Sequence, residues 1–254
     1  MPIVKTFGKL KVKQYATRNE MGVNAAREAA EIIAGLLTHK DEINVIFAAA
    51  PSQNEFLDAL VSNKKIDFTK INAYHMDEYI GLKPDAPQGF GNFLKHRLFS
   101  QAPFKSVNYI NGQAEDAEAE CARYNELIRS AHIDIVFMGI GENAHIAFND
   151  PHEARFDDEK YVKTVILDEA CRRQQVNDGC FSCICQVPEN AITLTIPALI
   201  DTDYVICVVP GKTKAKAVKN CLLMEISEKY PASVLRTKEN AVMYLDAESG
   251  SLLA

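Results

Sequence analysis

In the stretch MGIGENAHIAFNDP, Met138 to Pro151, one histidine stands between an asparagine and an aspartate. Asn143 and Asp150 are close enough in sequence to His145 to orient its ring and tune its charge, so that the imidazole shuttles a proton at neutral pH. The same letters suit a bland account: a buried structural histidine, an aspartate starting a turn before Pro151, and an asparagine in a left-handed bend. The glycines of GIG are no dinucleotide fingerprint, because no third glycine follows at the required spacing. They let a tight loop turn back over a sheet edge.

Four other segments carry matching chemistry. HMDEYIGL sets Asp77 and Glu78 at a strand end, where one carboxylate can abstract a proton beside a carbonyl while the other positions it or contacts substrate. VVPGKTKAKAVK runs from a strand through a glycine turn to a helix start, where free backbone N–H groups and Lys214 would hold a phosphate. AAAPSQNEF offers Ser52 and the amides after it, and CRRQQ offers Arg172 or Arg173 as a second phosphate clamp. Together these groups describe an anionic, phosphorylated small molecule beside a carboxylate and an imidazole. No metal-binding histidine pair and no Ser/His/Asp order is evident.

The elements that must position them alternate between apolar strands and helical stretches. NVIFAAA reads as a strand, and Ser52 with Glu55 as a capping box opening the next helix. INAYHM reads as a strand ending at Asp77, and IDIVFMGIG, AITLTI, DYVICVVPG and NAVMYLD as further strands. FGNFLKHRLF, DAEAECARYNELIRSA and KTKAKAVKNCLLME read as helices. This order predicts an α/β fold, a Rossmann-like open and mainly parallel sheet covered by helices on both faces, as one domain over residues 1–254. Ligands of such sheets sit beyond the carboxyl ends of the strands, and Ser52, Asp77, the Gly139 to Pro151 loop and the Gly211 to Lys214 turn all directly follow apolar strands.

Composition sets bounds. A formal net charge of -6 argues against nucleic acid as partner. No run is apolar enough for a signal peptide or a membrane span, so a cytoplasmic protein is expected. Lys9, Lys11 and Lys13 fit the solvated face of an edge strand. The seven cysteines read as reduced thiols. Cys171, Cys180, Cys183 and Cys185 lie close together, but with no second CxxC pair and no trailing histidine pair they read as packing residues, not a zinc site.

On HMDEYIGL and GIGENAHIAFNDP, with QVPENAITLTIPALI in support, the chain resembles the glucosamine-6-phosphate deaminase/isomerase family, whose superfamily includes the 6-phosphogluconolactonases. The resemblance implies conversion of glucosamine 6-phosphate and water to fructose 6-phosphate and ammonia, with no cofactor and no metal. By position, it implies that Asp77 moves the proton between C2 and C1. His145 assists ring opening, and Asn143 and Asp150 complete its relay. Lys214 and the Ser52 loop meet the phosphate. A homo-oligomer fits the family.

Departures from the family pattern bear on the substrate. Ala50 and Pro51 stand where the phosphate loop usually has glycines, and Pro51 lacks an N–H. Ala144 replaces a glycine, Asp150 a glutamate, and the clamping arginine has no clean counterpart. The resemblance therefore leaves open another hexosamine phosphate or lactonase activity. A non-catalytic sugar-phosphate sensor is the rival of another class. Such sensors carry a DNA-binding module ahead of the domain, and too few residues precede the first helix here to form one.

Overall fold

The computed structural model describes residues 1–253. Two hydrogen-bonded sheets carry the architecture. The larger runs β1-β2-β11-β10-β7-β3-β4-β6, in which β1 is Ile3–Phe7, β2 Leu10–Gln14, β3 Ile43–Phe47, β4 Ile71–His75, β6 Ser106–Asn108, β7 Ile135–Met138, β10 Tyr204–Val209 and β11 Ala241–Leu245. Every neighbouring pair is parallel except β1 with β2. The smaller sheet, β5-β9-β8, is antiparallel and made of Asp77–Tyr79, Asn190–Leu194 and Val162–Ile166.

The parallel strands are apolar nearly throughout because both faces are covered. Val45 and Phe47, Ile135 and Phe137, Ile206 and Val208 point to one side, where α1 (Arg18–Leu36), α2 (Asn54–Val61) and α3 (Phe90–Leu94) pack. Ile46, Val136, Met138, Cys207 and Val209 point to the other, against α4 (Ala117–Ser130), α6 (Ile196–Ile200) and α7 (Ala215–Leu223). This is the period-two alternation of a strand, with apolar layers on both sides. No helix among the described residues is long and apolar enough to cross a membrane.

Several local expectations are corrected. No side chain caps α2, whereas Thr17 caps α1, its hydroxyl accepting the Glu20 N–H. Ser52 lies instead in a 3-10 turn, Pro51–Gln53, and Glu55 reaches across to Arg18 at 2.7 Å. Lys9, Lys11 and Lys13 belong to the β1–β2 hairpin, but β2 is not the edge, because β1 covers it. Lys13 pairs with Glu28 of α1. AITLTI and the DEY of HMDEYIGL form the antiparallel sheet; a short apolar run does not specify which sheet it joins. Cys183 and Cys185 are joined in a disulfide, against the expectation of free thiols, because the 3-10 turn Ile184–Gln186 that starts just after Cys183 brings their Cα atoms to 5.3 Å. Cys171 is buried, as expected, and Cys180 is half-buried.

Candidate active site

Four adjacent strands, β10-β7-β3-β4, end at one rim, and the segments leaving their carboxyl ends converge there. Ser52 follows β3, Asp77 follows β4, His145 lies in the loop after β7, and Lys214 lies in the turn after β10. All four line a single cleft of about 480 Å³ including its mouth. The sheet thus brings together groups that are far apart in sequence, as open α/β sheets do at strand ends.

Asp77 is 7% exposed. Burial, with the Glu78 charge beside it, pushes its carboxyl well above the usual carboxylate range. Two supports fix it. His75 is fully buried and uses both ring nitrogens: Nε2 accepts the Ile110 N–H at 2.9 Å, so Nδ1 donates to the Asp77 carbonyl at 3.0 Å. Burial lowers His75 to about 4, so it stays a neutral pin. The second support is β9, where Thr193 stands opposite Asp77 and its Oγ1 also accepts the Phe148 N–H at 3.0 Å. One residue therefore indexes both the carboxylate and the histidine loop.

His145 is 7% exposed and its Nδ1 lies 2.8 Å from Asp150 Oδ1. Asn143 bridges the two: its Oδ1 accepts the His145 N–H at 3.0 Å and its Nδ2 donates to Asp150 Oδ1 at 2.9 Å. Asp150 is fully buried, and although burial alone would raise its pKa, His145 and the donated hydrogen bonds hold it below the usual range. Cys171 of α5 (Glu169–Asn177) places its thiol in hydrogen-bonding reach of Asp150, and burial pushes that thiol up. The left-handed residues of the loop are Ala144 and Ala147, with φ of 69° and 47°, rather than Asn143. Gly141 has ordinary φ and is a glycine for another reason: a β-carbon there would collide with the His145 ring.

Lys214 is 4% exposed and, among the described residues, pairs with no carboxylate; burial lowers its pKa, and the charges of Asp178 and Glu142 only partly oppose that. Gly211, at φ 92°, makes the turn that starts this segment and is tied to Asp246 through its N–H. A buried ammonium without a protein anion is costly unless a ligand supplies one. Ser52 sits beside Gln53, whose Nε2 donates to Val208 O at 3.1 Å and leaves Oε1 buried without a partner.

The remaining expected residues lie elsewhere. Glu78 faces away from the cleft and accepts the N–H groups of Tyr79, Phe90 and Gly91 at 3.0, 3.0 and 2.8 Å, so it anchors the start of α3 rather than contacting substrate. Neither arginine lines the cleft. Arg172 donates to the carbonyls of Ile184 and Val187, and Arg173 is exposed and pairs with Glu169. The helix turns Cys171, Gln174 and Gln175 inward instead, and Gln174 and Gln175 line the cleft. Gln174 Oε1 accepts the Glu142 N–H at 2.8 Å, while the Gln175 amide, 7% exposed, has no protein partner. These glutamines, Gln53 and Cys171 were missed. The i, i+3, i+4 spacing of 171, 174 and 175 is the signal that could have found three of them.

Residues 16–244 match the family described as glucosamine-6-phosphate isomerases/6-phosphogluconolactonase. The chain is 34% identical over 237 residues to the glucosamine-6-phosphate deaminase of Listeria welshimeri, covering 93% of this chain and 98% of that one. Against the glucosamine-6-phosphate deaminase of Streptococcus gordonii it is 34% identical over 244 residues, 96% of this chain and 99% of that one. Among solved structures, a monomeric glucosamine-6-phosphate deaminase superposes with a TM-score of 0.86 at 31% identity, over 95% of this chain and 99% of that one. The 6-phosphogluconolactonase of Thermotoga maritima shares the fold, with a TM-score of 0.76 at 20% identity over 94% of this chain and 99% of its own. The chain belongs to the family of glucosamine-6-phosphate isomerases and 6-phosphogluconolactonases.

Proposed function

We propose that this protein is a glucosamine-6-phosphate deaminase, converting the amino-sugar phosphate and water to fructose 6-phosphate and ammonia. The observation that carries the reading is that a buried, elevated carboxylate (Asp77), a relayed imidazole (His145) and an unpaired buried lysine (Lys214) open on one cleft. The family relatives named for this reaction support it.

In this reading His145 gives a proton to the ring oxygen as the sugar opens, with Asp150 stabilising the charged ring and Asn143 fixing its angle. Asp77 takes the proton from C2 and returns it at C1, and water then releases ammonia from the resulting imine. A basic carboxylate suits this step, because its elevated pKa narrows the gap to a weak carbon acid. Lys214, the Ser52 hydroxyl and nearby amides hold the phosphate. Lactone hydrolysis needs no base at C2, so Asp77 favours isomerisation. Sugar-phosphate chemistry and the five unpaired cysteines fit a cytoplasmic location.

A second reading keeps the chemistry and changes the sugar: another hexosamine phosphate. The specific observation behind it is that Gln174 and Gln175 line the cleft while Arg172 and Arg173 do not, leaving Lys214 as its lining cation. A coupled assay following ammonia and fructose 6-phosphate from glucosamine 6-phosphate tests the first reading, with Asp77→Asn as control. Equal release of both products, lost in the variant, is expected. Turnover of a different hexosamine phosphate alone would replace the first reading by the second, and binding of sugar phosphates without turnover of any would overturn both.

A further inference from the structure

The hub beneath the cleft holds three different donor atoms. A His145 ring nitrogen, an Asp150 carboxylate oxygen and Cys171 Sγ all lie within 4.8 Å of one another, on buried residues. A nitrogen, an oxygen and a sulfur so placed form the mixed donor set that zinc and its softer relatives accept, at bond lengths of about 2.0 to 2.3 Å. The spacing needs only small side-chain rotations to close on one ion.

The donors are also held from behind. Asn143 and the Asp168 N–H fix the two oxygens of Asp150, and Asn143 fixes the backbone of His145. Asp168 also accepts the Cys171 N–H at 2.6 Å, which sets the first turn of α5 and so the direction of the thiol. Second-sphere hydrogen bonds of this kind orient ligands and strengthen metal binding. Of the three, His145 alone lines the cleft, so an ion would reach the site past its ring.

We propose that His145, Asp150 and Cys171 form an inhibitory site for a thiophilic divalent cation such as Zn²⁺ or Cd²⁺. On binding, the thiol proton passes to solvent and sulfur donates to the metal. The ring proton sits on Nε2, freeing the Nδ1 lone pair, and Asp150 exchanges its contact with the ring for one with the ion. The metal then occupies the junction through which Asp150 supports His145, so the relay stops. This goes beyond the deaminase reading and rests on it only for the activity measurement.

The test uses the full chain in chelator-free buffer, titrated with Zn²⁺ for activity and with Cd²⁺ for the ultraviolet thiolate-to-metal absorption. Parent, Cys171→Ser, Cys171→Ala and a Cys180/Cys183/Cys185→Ser triple variant are compared, each checked for folding by circular dichroism. Inhibition reversed by chelator is expected, with the half-inhibiting Zn²⁺ concentration raised at least about tenfold in the folded Cys171 variants and unchanged in the triple variant. The Cd²⁺ band should vanish with Cys171 and persist in the triple variant. A band that follows Cys180, Cys183 or Cys185, no band at all, or equal inhibition with and without Cys171 would overturn the proposal. Because the band needs no substrate, failure of the deaminase reading leaves it readable.

Discussion

The ring of His145 occupies the volume that a side chain on Gly141 would fill, and the Gly141 N–H closes the loop by donating to the His145 carbonyl at 2.9 Å. The glycine is needed for close approach, not for an unusual backbone angle. Gly141→Ala should therefore leave the sheets folded and push the imidazole off Asp150. Misplacement by about an ångström costs on the order of 10²-fold in rate. The check is kcat against glucosamine 6-phosphate beside a thermal melt; a variant of parental kcat would show that the ring position is not critical.

Asp77 ties activity to stability in opposite directions. Its pKa is raised by burial and by Glu78, so the acid limb of kcat/KM should lie above the usual aspartate value of about 3.9, with activity rising as the carboxylate ionises. The folded state binds this proton more tightly than the unfolded state does. The stabilisation is thus full below the unfolded pKa and is lost as pH climbs through the raised folded value. Asp77→Asn keeps the neutral form at every pH. It should lower kcat by about 10²- to 10⁴-fold and melt higher than the parent, by a margin that widens as pH rises above about 4. A margin that shrinks with pH would reverse the assigned shift.

The parts of this site that were legible in sequence are those written as strand followed by polar turn. Asp77, His145 and Lys214 each follow an apolar run, and in a parallel sheet that alone places them at one rim. Helix phase was harder to read in CRRQQ. Arginine suggests anion binding by residue type, but the face of α5 that is buried carries Cys171, Gln174 and Gln175, so both glutamines reach the cleft and neither arginine does. Glu78 was misread for the strand analogue of that reason. Adjacent residues on a strand face opposite sides, so Asp77 and Glu78 cannot both face the cleft. Neither the membership of DEY and AITLTI in a second sheet nor the Cys183–Cys185 bond follows from local pattern, since both depend on which segments meet in space.

The neutral Gln175, lining the same cleft as the buried Lys214, gives a test of where the phosphate lies. Gln175→Arg adds a guanidinium to the cleft that already holds one cation. If the phosphate binds there, KM for glucosamine 6-phosphate should fall by about tenfold through a charge-assisted hydrogen bond, with kcat little changed. Lys214→Ala should move KM the other way by about tenfold or more. A KM that rises in Gln175→Arg would place the phosphate elsewhere in the cleft.

Asn143 donates to Asp150 and accepts from the His145 backbone, so its two ends do different work. Asn143→Asp keeps the acceptor but replaces the donor by a carboxylate about as close to Asp150 as the amide nitrogen now lies. Two carboxylates at that separation do not both ionise freely, and one takes up a proton near neutral pH. Where the new aspartic acid carries the proton, it still donates to Asp150 and the relay survives. As pH rises and the proton leaves, repulsion opens the pair and Asp150 loses its hold on the ring. The variant should thus approach parental kcat at the acid end of the working range and fall progressively below it toward the alkaline end. A pH–rate profile of kcat for the two proteins decides it: a constant ratio across pH would mean that Asn143 acts through shape alone.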